Sequence, residues 1–353
     1  MPKPAKRSNA APHGKNAPVG HVTMDDVARL AGVDKSTVSR ALAGSPRVTE
    51  ETREHVRRIA DLHGYIVDAK ARSLRSGRTR TIAVVIPLQH DTHQPVSDPF
   101  FMEMVVHIAD CLAERGYDLL LSKVTKTSPS WLSAVDRSGK ADGIILIGQS
   151  LEHEQISAAA LSGTKLVVWG ARLPDQHYVT VGTDNREGGR LATAHLIEHG
   201  RQSIAFVGDC RLPEIKQRYD GYLDALHAAG VAHDPALVIP TLFEPADALE
   251  ATRKLISGSI EIDGIVAASD VIAIAAMEAL KASGAGVPYD VAVVGFDDIA
   301  MAVHTSPPLT TVRQDIPRGA KGLVDGILGL IEGKGAQSLE LIPELIVRGS
   351  SGT

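Results

Sequence analysis

The sequence predicts an all-α headpiece followed by a two-lobed α/β body, and three observations predict it. Residues 23–65 carry three short amphipathic helical patterns separated by turn residues, with no strand-like run. From Thr81 the pattern changes to short β-branched and aliphatic runs that alternate with helical periodicity, the signature of a parallel sheet covered on both faces. That alternation occurs in two series, the second opening at Ser203, which implies two lobes.

The first helix is announced by Thr23, whose hydroxyl can accept from the backbone N–H of Asp25 or Asp26, while both aspartates suit the positive helix N-terminus. Val27, Leu30 and Ala31 are spaced to share a face, and Gly32 stops the helix. Asp34 is placed to cap a second helix from Lys35. Thr49 caps a third, with Val56, Ile59, Ala60 and His63 on one side and Gly64 closing it. Two short helices joined by a glycine-containing turn form a helix-turn-helix, whose second helix can enter the major groove of DNA.

Charge supports that reading. The 353 residues sum to −5, which alone argues against a nucleic-acid partner, but residues 1–80 hold 16 Lys/Arg against 8 Asp/Glu and the remainder 21 against 34. A positive head on a negative body is the footprint of a protein that meets phosphates at one end. Lys35 and Ser36 stand at the first positions of the second helix, and Arg40 lies one turn beyond Ser36; these can read base edges. Thr23, Thr37, Ser39, Arg47 and Thr52 are better placed for phosphates. The plain alternative is that Lys35 and Arg40 are solvated surface charges.

In the body, strands are expected at 81–86, 118–121, 143–147 and 165–169, and in the second series at 203–207, 264–267 and 291–294. Helices are expected at 101–115, 188–199, 217–229, 247–256 and 271–282. Ligands of open α/β sheets sit at the carboxyl ends of strands, so the residues after each strand are the ones to inspect for chemistry. They include 89–101, Gly148 with Gln149, Trp169 with Gly170, Asp184, Asp209, Asp270 and Phe296-Asp297-Asp298.

Several functions are excluded. Gly182-Thr-Asp-Asn-Arg-Glu-Gly-Gly189 lacks the G-x-G-x-x-G order, and no Walker lysine, G-x-S-x-G or H-E-x-x-H pattern occurs. Asp297 and Asp298 are adjacent, so in extended chain they point apart rather than pairing for acid/base work. No enzyme and no cofactor is expected. His90-Asp-Thr-His93 has a metal-like look but no third ligand at a recognisable spacing, so no metal is expected either. No apolar run approaches the roughly 20 residues needed to cross a bilayer, and Met1–Gly20 lacks the apolar stretch of a secretory signal. Cys111 and Cys210 are far apart. Together these features point to a reducing cytoplasm.

The order of three helices, then a short basic segment ending in Leu-x-Ser-Gly at 74–77, resembles the lac repressor (LacI/GalR) family of bacterial regulators. The resemblance runs from Thr23 to near the end of the chain. In the body it rests on Ser97-Asp-Pro-Phe-Phe101, Ala141-Asp-Gly-Ile-Ile145, Thr183-Asp-Asn185, Arg218-Tyr-Asp-Gly-Tyr222, Ala268-Ser-Asp270, Val294-Gly-Phe-Asp-Asp298 and Pro308-Leu-Thr-Thr311. It implies a helix-turn-helix headpiece carried by a two-lobed periplasmic-binding-protein-like domain. The chain then divides into a basic arm (1–20), the headpiece (21–66), a hinge helix (67–79) and the effector-binding and dimerisation domain (80–350).

The resemblance also assigns roles. Arg40 falls on a base-reading position of the family. Ala71, Arg72 and Leu74 fall on the hinge that enters the minor groove, with Leu74 as the wedge. Ala43 stands where the family often has Asn, and Val67-Asp68 where it usually has Pro-Asn, so one polar contact is missing and the hinge is more salt-sensitive. Arg218 is the arginine that reaches into the cleft and forks onto ligand oxygens. Asp270 is its hydroxyl-accepting counterpart and Asp184 a third candidate. Phe100, Phe101, Trp169 and Phe243 can wall a sugar ring, although each alone is as readily core. As an exposed cleft arginine, Arg218 would support little of the core, and its truncation would cost no more than about 1 kcal/mol.

The expected function is a sequence-specific transcriptional regulator, a repressor, that binds operator DNA as a homodimer and responds to a small molecule, a sugar or sugar derivative. The absence of leucine heptads after Arg348 favours a dimer over a tetramer. The alternatives are a purine- or phosphoprotein-responsive relative or, from other classes, a sugar receptor or enzyme.

Overall fold

A computed structural model describes residues 22–65, 77–87, 97–124, 131–258 and 260–352. The arm, the hinge positions Ala71, Arg72 and Leu74, and the pair His90 and His93 lie outside the described residues. The chain divides into two compact units, Met1–Gly77 and Arg78–Thr353.

The first unit contains α1 (Met24–Ala31), α2 (Lys35–Leu42) and α3 (Glu50–Leu62). Thr23 and Asp26 form a reciprocal capping box on α1, and Gly32 leaves it at φ 64°, a conformation that is costly for any residue with a Cβ. Thr49 accepts from the Thr52 N–H at the start of α3. Asp34 occupies the cap position of α2 but makes no side-chain capping bond, unlike the expectation. The core is Val27, Ala28, Ala31, Val38, Ala41, Val48, Val56 and Ala60. Leu30 and His63, expected inside, are exposed, and Ala28 takes the inward place on α1 beside Val27 and Ala31.

The second unit has two six-stranded sheets. The strands are β1 (Thr81–Pro87), β2 (Asp118–Val124), β3 (Gly143–Ile147), β4 (Leu166–Trp169), β5 (Val179–Thr183), β6 (Ile204–Val207), β7 (Val238–Ile239), β8 (Gly264–Ala267), β9 (Ala292–Asp297), β10 (Thr310–Arg313), β11 (Leu339–Leu341) and β12 (Glu344–Ile346). Sheet order is β11-β5-β4-β3-β1-β2 in the first lobe and β12-β10-β9-β8-β6-β7 in the second. All pairings are parallel except β10 with β12.

The helices of this unit are α4 (Pro99–Glu114), α5 (Trp131–Arg137), α6 (His153–Leu161), α7 (Asn185–Glu198), α8 (Pro213–Ala229), α9 (Pro245–Ile256), α10 (Asp270–Ser283) and α11 (Ile316–Ile331). In the first lobe, α4 and α11 cover one face of the sheet, while Trp131 of α5 and Ile156 of α6 pack on the other. In the second lobe, α7, α8, α9 and α10 share one continuous core with β6, β8 and β9.

The chain passes between lobes three times: at Asp184 after β5, at residues 314–315 after β10, and at residues 342–343 between β11 and β12. The helix α11 therefore follows a second-lobe strand yet belongs to the first lobe. It carries Gly319, Gly322, Gly326 and Gly329 at helical spacing. A Cβ on Gly319 would lie 2.3 Å from the Trp169 ring, and one on Gly326 would lie 3.4 Å from Val167. That bare stripe lets the helix lie close against β4.

Candidate functional site

On the headpiece, Lys35, Ser36 and Arg40 are exposed on α2, with Ser36 and Arg40 one turn apart on a common face. Arg47 is also exposed, on the turn after α2, and Thr37, Ser39 and Thr52 are half-buried. The Lys35 ammonium is paired with Asp25 of α1 at 2.7 Å. Both partners are well exposed, so the pair is weak and can exchange for a phosphate or a base edge.

Between the lobes lies a cleft of ≈ 690 Å³, counting its open mouth. Its apolar walls are Phe100 and Phe101 at the start of α4, Ile147 and Trp169 at the ends of β3 and β4, Leu212 and Ile215 around the start of α8, and Phe243. Phe100 centres 5.9 Å from Phe101 and 6.1 Å from Trp169, so three rings meet at tilted angles. The helix start that presents the two phenylalanines is fixed by Asp98, which accepts from the Phe100 N–H at 2.9 Å.

The polar side of the cleft is Arg218, Asp297, Gln314 and Glu214, with Ser150 and Gly148 at its edge. Arg218 is only 6% exposed. It donates Nε to Asn185 Oδ1 at 2.8 Å and Nη1 to the Ala268 carbonyl, and its guanidinium lies 3.6 Å above the Phe296 ring. Asp297 Oδ1 stands 4.0 Å from Arg218 Nη1 and accepts from Gln314 Nε2 at 2.7 Å. Arg218 can be brought there because α7 and α8 cross almost in contact. A Cβ on Gly221 would lie 1.8 Å from the Arg186 carbonyl oxygen, and one on Gly189 would lie 1.9 Å from that of Arg218.

Burial governs the electrostatics. It draws the Arg218 pKa below the ordinary arginine range, against the opposing pull of Asp297, Glu214 and Asp270. It lifts the Asp297 carboxyl to about 7, helped by Asp98 and opposed by Arg218 and Gln314. Burial also raises Glu214, whose carboxylate accepts from the Gln149 N–H at 3.3 Å across the mouth of the cleft. The site thus offers a fixed cation, a carboxyl able to accept or donate near neutrality, and an amide, all facing aromatic walls.

Of the seven residues expected in the cleft, five line it: Phe100, Phe101, Trp169, Arg218 and Phe243. Two do not. Asp270 is fully buried at the start of α10; Oδ1 accepts from the Thr311 hydroxyl at 2.5 Å and Oδ2 from the Ile299 N–H at 2.9 Å, which turns it away from the cleft. Asp184 caps α7 by accepting from the Glu187 N–H at 2.9 Å. The carboxylate facing Arg218 across the cleft is Asp297, and Gln314 and Glu214 join it. Asp297 is the last residue of β9, where strand-end reasoning points, but its neighbour Asp298 carries the same signal. Gln314 sits on a crossover that periodicity does not mark. The view of Arg218 as an exposed arginine of little structural weight is also overturned, because it is buried and bonded to two elements.

Residues 23–68 match the model of bacterial regulatory proteins of the lacI family, and residues 193–351 match a periplasmic binding protein-like domain. The HTH-type transcriptional regulator CelR of Thermobifida fusca is 34% identical over 338 residues, 93% of this chain and 98% of its own length. The chain belongs to the lacI family. The HTH-type regulators DegA of Bacillus subtilis and AscG of Escherichia coli are similar to this lacI-family chain at 31% and 30% identity, over 93% and 88% of it and 98% and 92% of their own lengths. A solved CelR–cellobiose complex has a TM-score of 0.70 at 32% identity, covering 94% of this chain and all of that one. A lac repressor dimer bound to operator and the anti-inducer ONPF has a TM-score of 0.82, covering 95% and 100%, and at 23% identity shares the fold. This lacI-family member is therefore a helix-turn-helix transcriptional regulator whose relatives are DNA-binding regulators. Among the described residues no helix is long and apolar enough to cross a membrane.

Proposed function

We propose that the protein is a cytoplasmic, homodimeric repressor whose operator affinity is set by a carbohydrate bound between the two lobes of its body. The observation that carries this is the cleft itself. Phe100, Phe101, Trp169 and Phe243 form apolar walls, while Arg218, Asp297, Gln314 and Glu214 supply a polar edge. A pyranose has the complementary make-up, with C–H faces that pack on aromatic rings and a rim of hydroxyls that need both donors and acceptors. The cellobiose complex of CelR and a ribose-bound lacI-family regulator of Enterococcus faecium, with a TM-score of 0.68 at 26% identity over 77% of this chain and 98% of that one, support the same class of ligand.

On DNA, Lys35, Ser36 and Arg40 read bases while Thr23, Thr37, Ser39, Arg47 and Thr52 hold phosphates. Residues 21–66 act as the headpiece, 67–79 as the hinge with Ala71, Arg72 and Leu74 in the minor groove, and 80–350 as the sensing body. The effector acts through linkage: it changes operator affinity only as far as it binds the two lobe arrangements unequally. The test is a titration of full-length protein with cellobiose, other glucosides, ribose, hypoxanthine and guanine. Trp169 fluorescence reports binding and operator retention reports response. A sugar that binds in the micromolar range and changes operator affinity is expected. Response to a purine alone would replace the carbohydrate reading.

A further inference from the structure

Two adjacent residues at the edge of the cleft have left-handed backbones without being glycine: Asp297 at φ 123° and Asp298 at φ 58°. Such conformations are strained for residues with a Cβ and persist only where the surroundings impose them. Their side chains divide the work. Asp297 faces the cleft, with Gln314 Nε2 as its hydrogen-bond donor and Arg218 at 4.0 Å. Asp298 points away, and each of its oxygens is taken by a guanidinium: Oδ1 by Arg348 Nη2 at 2.6 Å and Oδ2 by Arg313 Nε at 2.7 Å.

We propose that Arg348 and Arg313 are positioning residues for the effector site, clamping Asp298 so that the strained backbone holds Asp297 turned into the cleft. The proposal rests on the reading of Asp297 as an effector contact. The clamp is itself anchored. Arg348 donates Nη1 to the Leu309 carbonyl at 2.8 Å and its backbone N–H to Thr310 Oγ1 at 2.8 Å. Arg313 is tied to Glu344 at 3.2 Å on β12. The Asp298 N–H adds a bond to Thr311 Oγ1 at 3.3 Å. Were the fold merely in need of a left-handed turn after β9, glycine would supply it without strain. An aspartate gripped by two arginines instead gives the turn a restoring force. If Asp298 were released, both residues could relax to ordinary φ, and rotation at Asp297 would swing its carboxyl away from Gln314. The last segment of the chain, through Arg348, thereby reaches a ligand contact it does not touch.

The test needs no ligand. Full-length protein carrying aspartate labelled with carbon-13 at the carboxyl is titrated by NMR, and the Asp297 resonance is assigned with D297N. Wild type should show a raised midpoint. D298N and R348A should lower it by at least about one pH unit as the carboxyl regains solvent, whereas R348K, which keeps one charged bond, should hold it near wild type. In the R348A background, D298G accepts the left-handed turn but gives the arginines nothing to grip, so it should not restore the midpoint. In parallel, the cellobiose Kd read from Trp169 fluorescence should rise at least about tenfold in D298N and R348A. Unmoved midpoints in both variants, or a fall in R348A that D298G reverses, would overturn the clamp. D298N changes charge with little change of shape and decides the matter if R348A does not fold. Failure of cellobiose to bind wild type while the midpoints shift as expected would remove the carbohydrate reading and leave the clamp standing.

Discussion

Replacing Arg218 with alanine should destabilise the body by an amount that grows with pH. Arg218 donates to Asn185 and Ala268, packs on Phe296, and is the cation beside Asp297. Below pH 7 the Asp297 carboxyl is largely protonated, so the variant loses two hydrogen bonds from a charged donor and the ring contact, about 2–3 kcal/mol. Above pH 7 the wild type ionises Asp297 beside its arginine. The variant has no such partner, and its Asp297 midpoint must climb further. Because the folded pKa of this acid lies above its unfolded value, the folded state binds the extra proton, and stability falls as pH rises from the ordinary carboxylate range to about 7. In the variant that fall continues beyond 7, adding up to about 1.4 kcal/mol per pH unit. The difference from wild type should therefore be about 2–3 kcal/mol at pH 6 and about 3–4 kcal/mol at pH 8, the latter within the range for breaking a buried ion pair. Urea unfolding of the full-length proteins at both pH values measures it, and the pH dependence should vanish in the R218A/D297N double variant. A loss below 1 kcal/mol at both pH values, or one no larger at pH 8 than at pH 6, would refute the description of Arg218 as a buried partner of Asp297.

Binding of single-base operator variants should separate the headpiece residues. Lys35→Ala and Arg40→Ala should change which bases are tolerated, at about 1–3 kcal/mol per lost contact, while Arg47→Ala should weaken all sequences alike; an unchanged base profile for Arg40→Ala contradicts the groove assignment. Gly221→Ala places a methyl group on the Arg186 carbonyl, so α7 and α8 must separate. A loss of at least about 2 kcal/mol is expected, and a thermal melt equal to wild type counts against the crossing geometry. Sedimentation at micromolar concentration should give a dimer, and a tetramer would contradict the homodimer reading.

The headpiece was legible because its signals are local. Thr23, Gly32 and Thr49 act on backbone groups within a turn of themselves, and the structure has each in its expected cap or stop. The strands of Ile, Val and Leu were legible for the same reason. What escaped depends on distant partners. The strand β5 reads Val-Thr-Val-Gly-Thr and gains its identity from β4 and β11 beside it. The four glycines of α11 argue against a helix on propensity, and only packing on Trp169 and Val167 repays them. Aromatic side chains near strand ends located four cleft residues, since a strand end and a ring need no knowledge of the partner lobe, whereas Arg218 was legible only through the family resemblance. Choosing among Asp184, Asp270 and Asp297 required knowing which carboxylates the fold already uses for capping and internal bonds.

The late position of α11 in the chain sets the order in which the molecule can be built. During synthesis β1 to β5 emerge first with α4 covering part of one sheet face, but the part holding Val167 and Val181 gains its second helix only when residues 316–331 follow the whole second lobe. At roughly 5–20 residues per second this interval lasts on the order of ten seconds. Throughout it, a nascent first lobe presents the aliphatic strip that awaits α11 to the ribosome surface and to other chains. A chain truncated within the second lobe is left permanently in that state, which makes premature termination an aggregation hazard rather than a route to a free-standing lobe.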